Sequence, residues 1–219
     1  MENYLLLKEN PLFSGISEPN LQKLFSCLSA RERKISRGAF IFQAGDSVRF
    51  VYLILSGSVH IIDEDFWGNR SIIETIKEHT LFGEAYSLAS TEKYLVGVVA
   101  VEDSIILEID PARLFEMCSN GCSCHADLIK NTAGILSEKI VRLTEKLGHI
   151  IQRTTREKIL SYLSKCSYRS QSNSFVIPYS RQQLADYLCV DRSALSHELS
   201  NLKSLGMIRY RKNHFELLH

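Results

Sequence analysis

The 219-residue sequence predicts an α+β fold, in which an antiparallel β-domain is followed by a long helix and then by a small helical domain with a hairpin. Three observations predict it: short β-rich runs separated by turns, a heptad repeat, and a helix-turn-helix pattern that precedes a hairpin. The three parts succeed one another along the chain without internal repeats. We expect the domain boundaries to be 1–124, 125–153 and 154–219.

The β-domain is predicted from short runs rich in β-branched and aromatic residues, each followed by a turn with glycine, serine or asparagine. The spacing between runs leaves no room for the crossover helices that parallel strands require. Short strands with such turns indicate an antiparallel sandwich or barrel. The clearest runs are 39–42, 50–55, 59–62 and 71–76.

The long helix is predicted from apolar residues whose spacing alternates between four and three. This repeat lasts about three heptads, which is the seam of a coiled coil. The same stripe could pack on its own domain, but it is narrower than an ordinary core face, and we therefore favour a homodimer. The seam residues are Ile129, Ala133, Leu136, Ile140, Leu143, Leu147 and Ile150.

A new helix is expected directly after the seam, because Thr154 and Glu157 have the spacing of a capping box. Its start at this point indicates a hinge between the long helix and the last domain. That last domain carries most of the positive charge. Residues 153–219 contain four Lys and seven Arg against two Asp and three Glu, a formal charge of +6, whereas the preceding 152 residues carry −5. Such asymmetry is typical of a domain that meets phosphates.

Residues 180–199 fit a helix-turn-helix. Ser180 can cap the first helix and Asp191 the second. Residues Leu184, Ala185 and Leu188 of the first helix and Ala194, Leu195, Leu199 and Leu202 of the second are expected to face inward. Residues 207–218 then read as a hairpin with a basic tip, which is a wing.

The remaining polar residues of this motif form an outer face suited to DNA. Short polar side chains near the start of a recognition helix reach base edges in the major groove, and Arg suits phosphates or guanine. We therefore expect double-stranded promoter DNA as a partner. The expected DNA-binding residues are Ser180, Arg181, Gln182, Arg192, Ser193, Ser196, His197, Arg211 and Lys212.

With these residues in place, the chain resembles the Crp/Fnr family of bacterial regulators over essentially its whole length. Phe82-Gly83-Glu84-Ala85, followed by Val98-Val99-Ala100, resembles the family's phosphate-binding cassette, and residues 50–59 resemble the strand-turn-strand before it. The resemblance implies an N-terminal β-roll (jelly roll), a dimerisation helix and a C-terminal winged helix-turn-helix. It also implies a homodimer on pseudo-palindromic promoter DNA, with RNA polymerase as a second candidate partner.

Two departures from the family pattern affect function. The resemblance places the effector pocket at Gly83, Glu84, Ala85, Tyr94 and Leu95, but cyclic-AMP-binding members have Arg where Tyr94 stands. A neutral hydroxyl cannot replace that charge-assisted partner of a phosphate, which argues against cyclic AMP and leaves the effector open. In the recognition helix, His197 stands where members commonly have an Arg that reads guanine, so the resemblance leaves the operator half-site open.

A cysteine-rich turn precedes the long helix. Cys118, Cys122, Cys124 and His125 could bind zinc or an iron–sulfur cluster, could form a redox-sensitive disulfide, or could have no special role. The spacing matches no standard metal motif. Because these residues could still sense a metal or redox state, the alternative function is a metal- or ligand-sensing module with weak or vestigial DNA binding. An enzyme with a cysteine nucleophile is not expected, because adjacent residues on a helix do not face each other.

The six cysteines do not resemble a secreted disulfide framework, given the length of the chain. No apolar run approaches the roughly 18 residues of a membrane span, and the first residues lack the basic segment of a signal peptide. We therefore expect a cytoplasmic protein with no membrane partner.

Overall fold

The computed structural model describes residues 7, 10–89, 91–115 and 123–218. They form two compact units, Met1–Leu136 and Ser137–His219, and the division falls inside one long helix. The predicted α+β fold class is confirmed by antiparallel sheets followed by this helix and by a helix-turn-helix with a hairpin.

The first unit contains eight described strands and three short helices before the long helix. In chain order they are α1 (Glu18–Leu28), β1 (Arg31–Ile35), β2 (Phe40–Phe42), β3 (Val51–Ser56), β4 (Val59–Glu64), β5 (Arg70–Ile76), β6 (Leu81–Phe82), α2 (Glu84–Leu88), β7 (Gly97–Ala100), β8 (Ser104–Ile109) and α3 (Pro111–Phe115). A single 3-10 turn, Pro11–Phe13, precedes α1.

These strands form two four-stranded antiparallel sheets, with strand orders β1-β8-β3-β6 and β2-β7-β4-β5. Because side chains alternate along a strand, β3 serves two cores. Leu53 packs with the N-terminal helices, whereas Tyr52 and Ile54 lie in the other core, between the sheets. This interior core is the one that positions the cassette residues described below.

The β4–β5 hairpin ends in a tightly bonded turn. The Asp65 carboxylate accepts hydrogen bonds from the backbone N–H groups of Trp67 and Asn69, both at 2.9 Å. Gly68 adopts a φ of +81°, which favours glycine. The turn presents two aromatic side chains to solvent: Phe66 is 95% exposed and Trp67 is 82% exposed.

The long helix α4 spans Ser123–Ile150. The remaining elements are α5 (Thr155–Ser170), β9 (Ser174–Val176), α6 (Arg181–Leu188), α7 (Arg192–Ser204), β10 (Ile208–Arg211) and β11 (His214–Leu217), with the three strands in the order β10-β11-β9. The capping box at the start of α5 is confirmed, since Thr154 Oγ1 accepts from the Glu157 N–H and the Glu157 carboxylate accepts from the Thr154 N–H. Among the helices that the structure describes, none combines the length and apolarity of a bilayer span.

Candidate functional site

Both helices of the helix-turn-helix begin at the predicted caps. Ser180 Oγ accepts from the Gln183 N–H at 3.3 Å, and the Gln183 side chain accepts from the Ser180 N–H at 2.9 Å. Asp191 Oδ1 accepts from the N–H groups of Ser193 at 2.7 Å and Ala194 at 3.3 Å. These bonds satisfy amides that a helix start leaves without partners, so they fix where α6 and α7 begin.

The two helices pack through leucines at the predicted spacing. The fully buried residues are Leu184, Ala185, Leu188, Leu195, Leu199 and Leu202. The expectation that Ala194 also faces inward is wrong, because Ala194 is exposed. Leu195, Leu199 and Leu202 already define the buried stripe at spacings of four and three, and a residue adjacent to Leu195 lies about 100° around the helix from it.

The outer face of α7 consists of polar side chains in solvent. Arg192, Ser193, Ser196, His197 and Ser200 are all exposed. Ser193 donates to Asp191 and Ser200 donates to the carbonyl of Ser196, whereas the side chains of Arg192 and His197 make no hydrogen bond or ion pair within the described part of the chain. This face has the donors and acceptors that a major groove requires.

Arg181, a predicted DNA-binding residue, packs against the wing. Its Nη2 donates to the carbonyl of Lys212 at 2.9 Å, and its guanidinium carbon lies 4.9 Å from the ring centre of Tyr210 and 5.0 Å from that of Phe215. Burial lowers the pKa of Arg181 from its ordinary value. The arginine therefore holds the first helix of the motif to the hairpin. At the hairpin tip, Arg211 and Lys212 are exposed.

The segment that resembles the cassette begins with Gly83. Gly83 has a φ of +76°, and a Cβ there would lie 2.9 Å from the ring of Tyr52, so both the conformation and the space call for glycine. The short helix α2 follows, and Glu84 at its start is buried. Two other predicted pocket residues face solvent: Ala85 is exposed, and Leu95 is 71% exposed.

Tyr94 lies at the centre of an aromatic stack between the sheets. Its ring is 1% exposed and lies 3.7 Å from the ring of Phe42, with only 13° between the two planes. Its hydroxyl donates to the carbonyl of Phe50 at 3.3 Å. Tyr52 stacks on Phe82 in the same core. Desolvation raises the pKa of both Tyr52 and Tyr94, so the hydroxyls of this stack remain neutral.

The long helix carries an uncovered apolar stripe. Ile140, Leu143 and Leu147 are respectively 63%, 60% and 58% exposed. Ala133 is also exposed, and Ile129, Leu136 and Ile150 are partly exposed. Large aliphatic side chains in a row on one helix face indicate a surface that needs a partner.

Comparison with known families and proteins gives matches in both units. The cyclic nucleotide-binding domain matches residues 32–120, and the Crp-like helix-turn-helix domain matches residues 157–219. The Anaerobic regulatory protein of Bacillus subtilis (strain 168) is 22% identical, over 97% of this chain and 90% of its own length. The Cyclic AMP receptor protein of Thermus thermophilus is 24% identical, over 93% of this chain and 90% of its own length. The chain belongs to the Crp/Fnr family.

Two solved structures share the fold of this chain. The catabolite activator protein of Thermus thermophilus matches with a TM-score of 0.55 and 22% identity, over 95% of this chain and 94% of that one. The c-di-GMP responsive global regulator CLP of Xanthomonas campestris matches with a TM-score of 0.58 and 19% identity, over 92% of this chain and 100% of that one.

As a Crp/Fnr protein, the chain is a DNA-binding transcription regulator with an effector-binding domain. Its relatives are transcriptional regulators rather than enzymes. The family assignment and the helix-turn-helix predicted from sequence are thus confirmed.

The cysteine turn is described only in part. Cys118 and Cys122 lie outside the described residues. Cys124 is a buried free thiol in the core with Leu128. His125 is 1% exposed, and its Nδ1 has no hydrogen-bond partner within the described ranges. No group of three or more potential ligands occurs among the described residues. Metal or redox sensing at this turn stays a prediction.

Sequence reasoning missed a buried cluster at the end of α4. The Nδ1 atom of His149 lies 2.7 Å from Ser161 Oγ, and its ring is 5.7 Å from that of Tyr162. Glu145, one turn earlier, forms ion pairs with Lys165 and Arg169 of α5. His149 and Glu145 lie off the apolar stripe of α4. Their position off the stripe was the signal in the sequence that could have identified them. They fix the last turns of α4 to the DNA-binding unit.

Proposed function

We propose that this regulator is a homodimer that reads a pseudo-palindromic operator through α7 and is controlled by an effector other than cyclic AMP. The observation that carries the proposal is the outer face of α7, where Arg192, Ser196 and His197 stand in solvent at the beginning of a capped helix. Side chains at this end of a recognition helix contact base edges in proteins with this motif.

Dimerisation is supported by the stripe on α4. Its exposed leucines and isoleucines have the a/d spacing of a two-stranded coiled coil, in which each would insert between four residues of the facing helix. Ion pairing beside the stripe is consistent with this surface: Glu138 and Arg142 are one turn apart, with 3.8 Å between their charged atoms. Two copies joined in this way would present two recognition helices to two half-sites.

The exclusion of cyclic AMP is supported by Tyr94. A cyclic phosphate is best held by a charged fork donor, and the residue at this position is an uncharged ring whose hydroxyl already donates to Phe50. The ring also fills the space beside Phe42. An effector of this protein must therefore be recognised by other groups.

The proposal is tested by fluorescence anisotropy with labelled duplexes from the promoter regions near the gene, measured at several salt concentrations. Each phosphate contact releases counterions, so log affinity should fall linearly and steeply with log salt. A duplex that contains the operator should bind at least about 10³-fold more tightly than a duplex of scrambled sequence. A flat salt dependence would sink the DNA-binding function, and equal affinity for all sequences would sink specific reading. Adding cyclic AMP should leave both measurements unchanged.

A further inference from the structure

The apolar stripe and the recognition helix belong to the same compact unit. Ser137–His219 contains the exposed stripe residues Ile140, Leu143 and Leu147 together with the whole helix-turn-helix. In the proposed dimer, the distance between the two recognition helices therefore depends on the seam and on contacts inside this unit. Residues 151–153, which join α4 to α5, lie outside any helix or strand. A connection of this kind can bend, so side chains that bridge α4 and α5 fix the angle between them.

His149 bridges this connection. It is the penultimate residue of α4 and is 6% exposed. Its Nδ1 atom lies 2.7 Å from Ser161 Oγ of α5, and its ring meets the Tyr162 ring edge to face, with 5.7 Å between the centres and 83° between the planes. A buried polar group that loses its partner costs free energy, so the hydrogen bond favours one arrangement of the two helices. An apolar side chain at this position would only fill space.

The same imidazole ring reaches the first helix of the helix-turn-helix. The ring centres of His149 and of Tyr187 in α6 are 6.3 Å apart. Tyr187 meets Tyr162 edge to face at 5.5 Å and stacks on Tyr179 at 5.1 Å. Lys146 Nζ, about one turn before His149, lies 5.7 Å from the centre of the Tyr187 ring, within the range of a cation–π contact. The end of α4 is thus joined to α5 and α6 together, and α6 packs on α7 through buried leucines.

A second set of contacts lies one turn earlier on α4. Glu145 forms ion pairs with Lys165, at 3.7 Å between Oε1 and Nζ, and with Arg169. The two cations are one turn apart on α5, and the Glu145 side chain is only 19% exposed, so this network is partly shielded from water. Two separate points of contact, one at Glu145 and one at His149, oppose both swinging and rotation of α4 relative to α5.

We propose that His149 is a positioning residue that, through Ser161 and Tyr187, holds the helix-turn-helix at a fixed angle to the dimer seam and thereby sets the spacing between half-sites that the protein accepts. The proposal rests on the homodimeric, operator-binding function proposed above. Each base pair added between half-sites moves the second half-site by about 3.4 Å and rotates it by roughly 35°. Recognition helices held at a fixed angle accept one spacing, whereas loosely tethered ones accept several.

The test uses the full-length protein and duplexes in which the same two operator half-sites stand at the preferred separation or two base pairs nearer or farther apart. Anisotropy titrations give the affinity for each duplex, and a duplex with a single half-site is the reference. The wild type should lose about 10²-fold or more in affinity when the spacing changes, because both recognition helices cannot then bind at once. His149→Ala should bind the preferred spacing about tenfold more weakly than the wild type does, and should lose less than about fivefold more when the spacing changes. Its affinity for the single half-site should equal that of the wild type.

Two further variants make the result specific. Ser161→Ala removes the hydrogen-bond partner of His149 but keeps the ring contacts, so it should flatten the spacing dependence in the same direction by a smaller factor. Thr144→Ala, at an exposed α4 position outside the cluster, is the matched control and should keep the spacing dependence of the wild type. Urea denaturation and sedimentation establish that each variant is folded and dimeric. If His149→Ala does not fold, Ser161→Ala decides the question.

A folded, dimeric His149→Ala protein with the spacing dependence of the wild type would overturn the proposal, and so would equal flattening by Thr144→Ala. Equal weakening on every duplex, including the single half-site, would also overturn it, because His149 would then stabilise the helix-turn-helix itself rather than its angle to the seam. A wild type that binds all spacings equally would contradict the homodimeric function proposed above, and this inference with it.

Discussion

Two helices of this molecule present exposed faces of opposite character. The outer face of α7 carries Arg192, Ser196 and His197, which water solvates well. The stripe on α4 carries Leu143 and Leu147, each more than half exposed. Both faces follow helical periodicity. The polar face of α7 is stable in water, whereas exposure of the apolar stripe on α4 costs roughly 25 cal/mol for each Å² of apolar surface left uncovered.

The difference shows how the nature of a partner is encoded on a helix. A polar face can remain open until nucleic acid arrives, because its groups exchange water for base and phosphate contacts at little net cost. An apolar face needs a permanent cover, which in the proposed homodimer is a second copy of the chain. Four substitutions test this comparison.

The largest effect is expected from Leu143→Lys on the apolar stripe. In the proposed dimer it would place two like charges in the seam, so the protein should sediment as a monomer. Operator affinity should fall about 10²–10⁴-fold, because one recognition helix then binds without the other. Val141→Lys, at a 56% exposed position two residues away and off the a/d pattern, is the control and should remain dimeric. An unchanged dimer in both variants would refute the seam.

The next effect is expected from His197→Ala on the polar face. Loss of a base contact should cost roughly 1–3 kcal/mol of discrimination at one base pair in each half-site, measured by anisotropy on a panel of single-base operator variants. Ser200→Ala, further along the same face, should have a smaller effect. If His197→Ala instead weakens every duplex equally, His197 contacts the DNA backbone only.

A smaller effect is expected from removing the cap of the polar helix. Asp191→Ala should lower the free energy of unfolding by about 1 kcal/mol, because the amides of Ser193 and Ala194 lose their acceptor. Urea denaturation measures it. Asp186→Ala removes an exposed carboxylate whose one hydrogen-bond partner among the described residues is the Gln182 side chain, and it is the control. Equal loss in both variants would mean that the cap does not hold α7.

The smallest effect is expected on the pH dependence of stability, at the end of α4, where the helix turns a polar face inward. Burial lowers the pKa of His149 from its ordinary 6.5, although Glu145 acts in the opposite direction. Its stabilising contribution is therefore complete above pH 6.5 and is lost as the pH falls through the lowered value. Urea midpoints between pH 7.5 and 5 should drop less in His149→Asn than in the wild type. An identical pH dependence would show that His149 titrates as it does in the unfolded chain.

The helix-turn-helix could be read from the sequence because its determinants are local. Ser180 and Asp191 begin their helices through bonds to residues two or three positions away, and Leu195 and Leu199 repeat at a helical spacing. Such rules need no knowledge of distant segments. The one wrong prediction of a buried residue in these helices is Ala194, because Leu195 and the leucines that follow it define the buried side without Ala194.

The β-domain was harder to predict, because the residues that contact one another there are distant in the sequence. Phe42 and Tyr94 stack although they are far apart along the chain, and Arg33 meets Glu108 only through the pairing of β1 with β8. The β1 strand itself was largely missed, since its run of charged residues has little β-propensity and only Ile35 of its residues is buried. Arg181 illustrates the same limit, because its contacts with Tyr210 and Phe215 of the wing depend on residues far along the chain.

The β4–β5 hairpin gives the protein a built-in optical reporter. Trp67 is the only tryptophan in the sequence, and it stands almost fully in water on a turn that Asp65 holds in shape. Indole emission from this molecule therefore comes from one known place in the β-roll. A blue shift during assembly, effector addition or encounter with a partner protein locates that event at the hairpin, without a label and without altering a single residue.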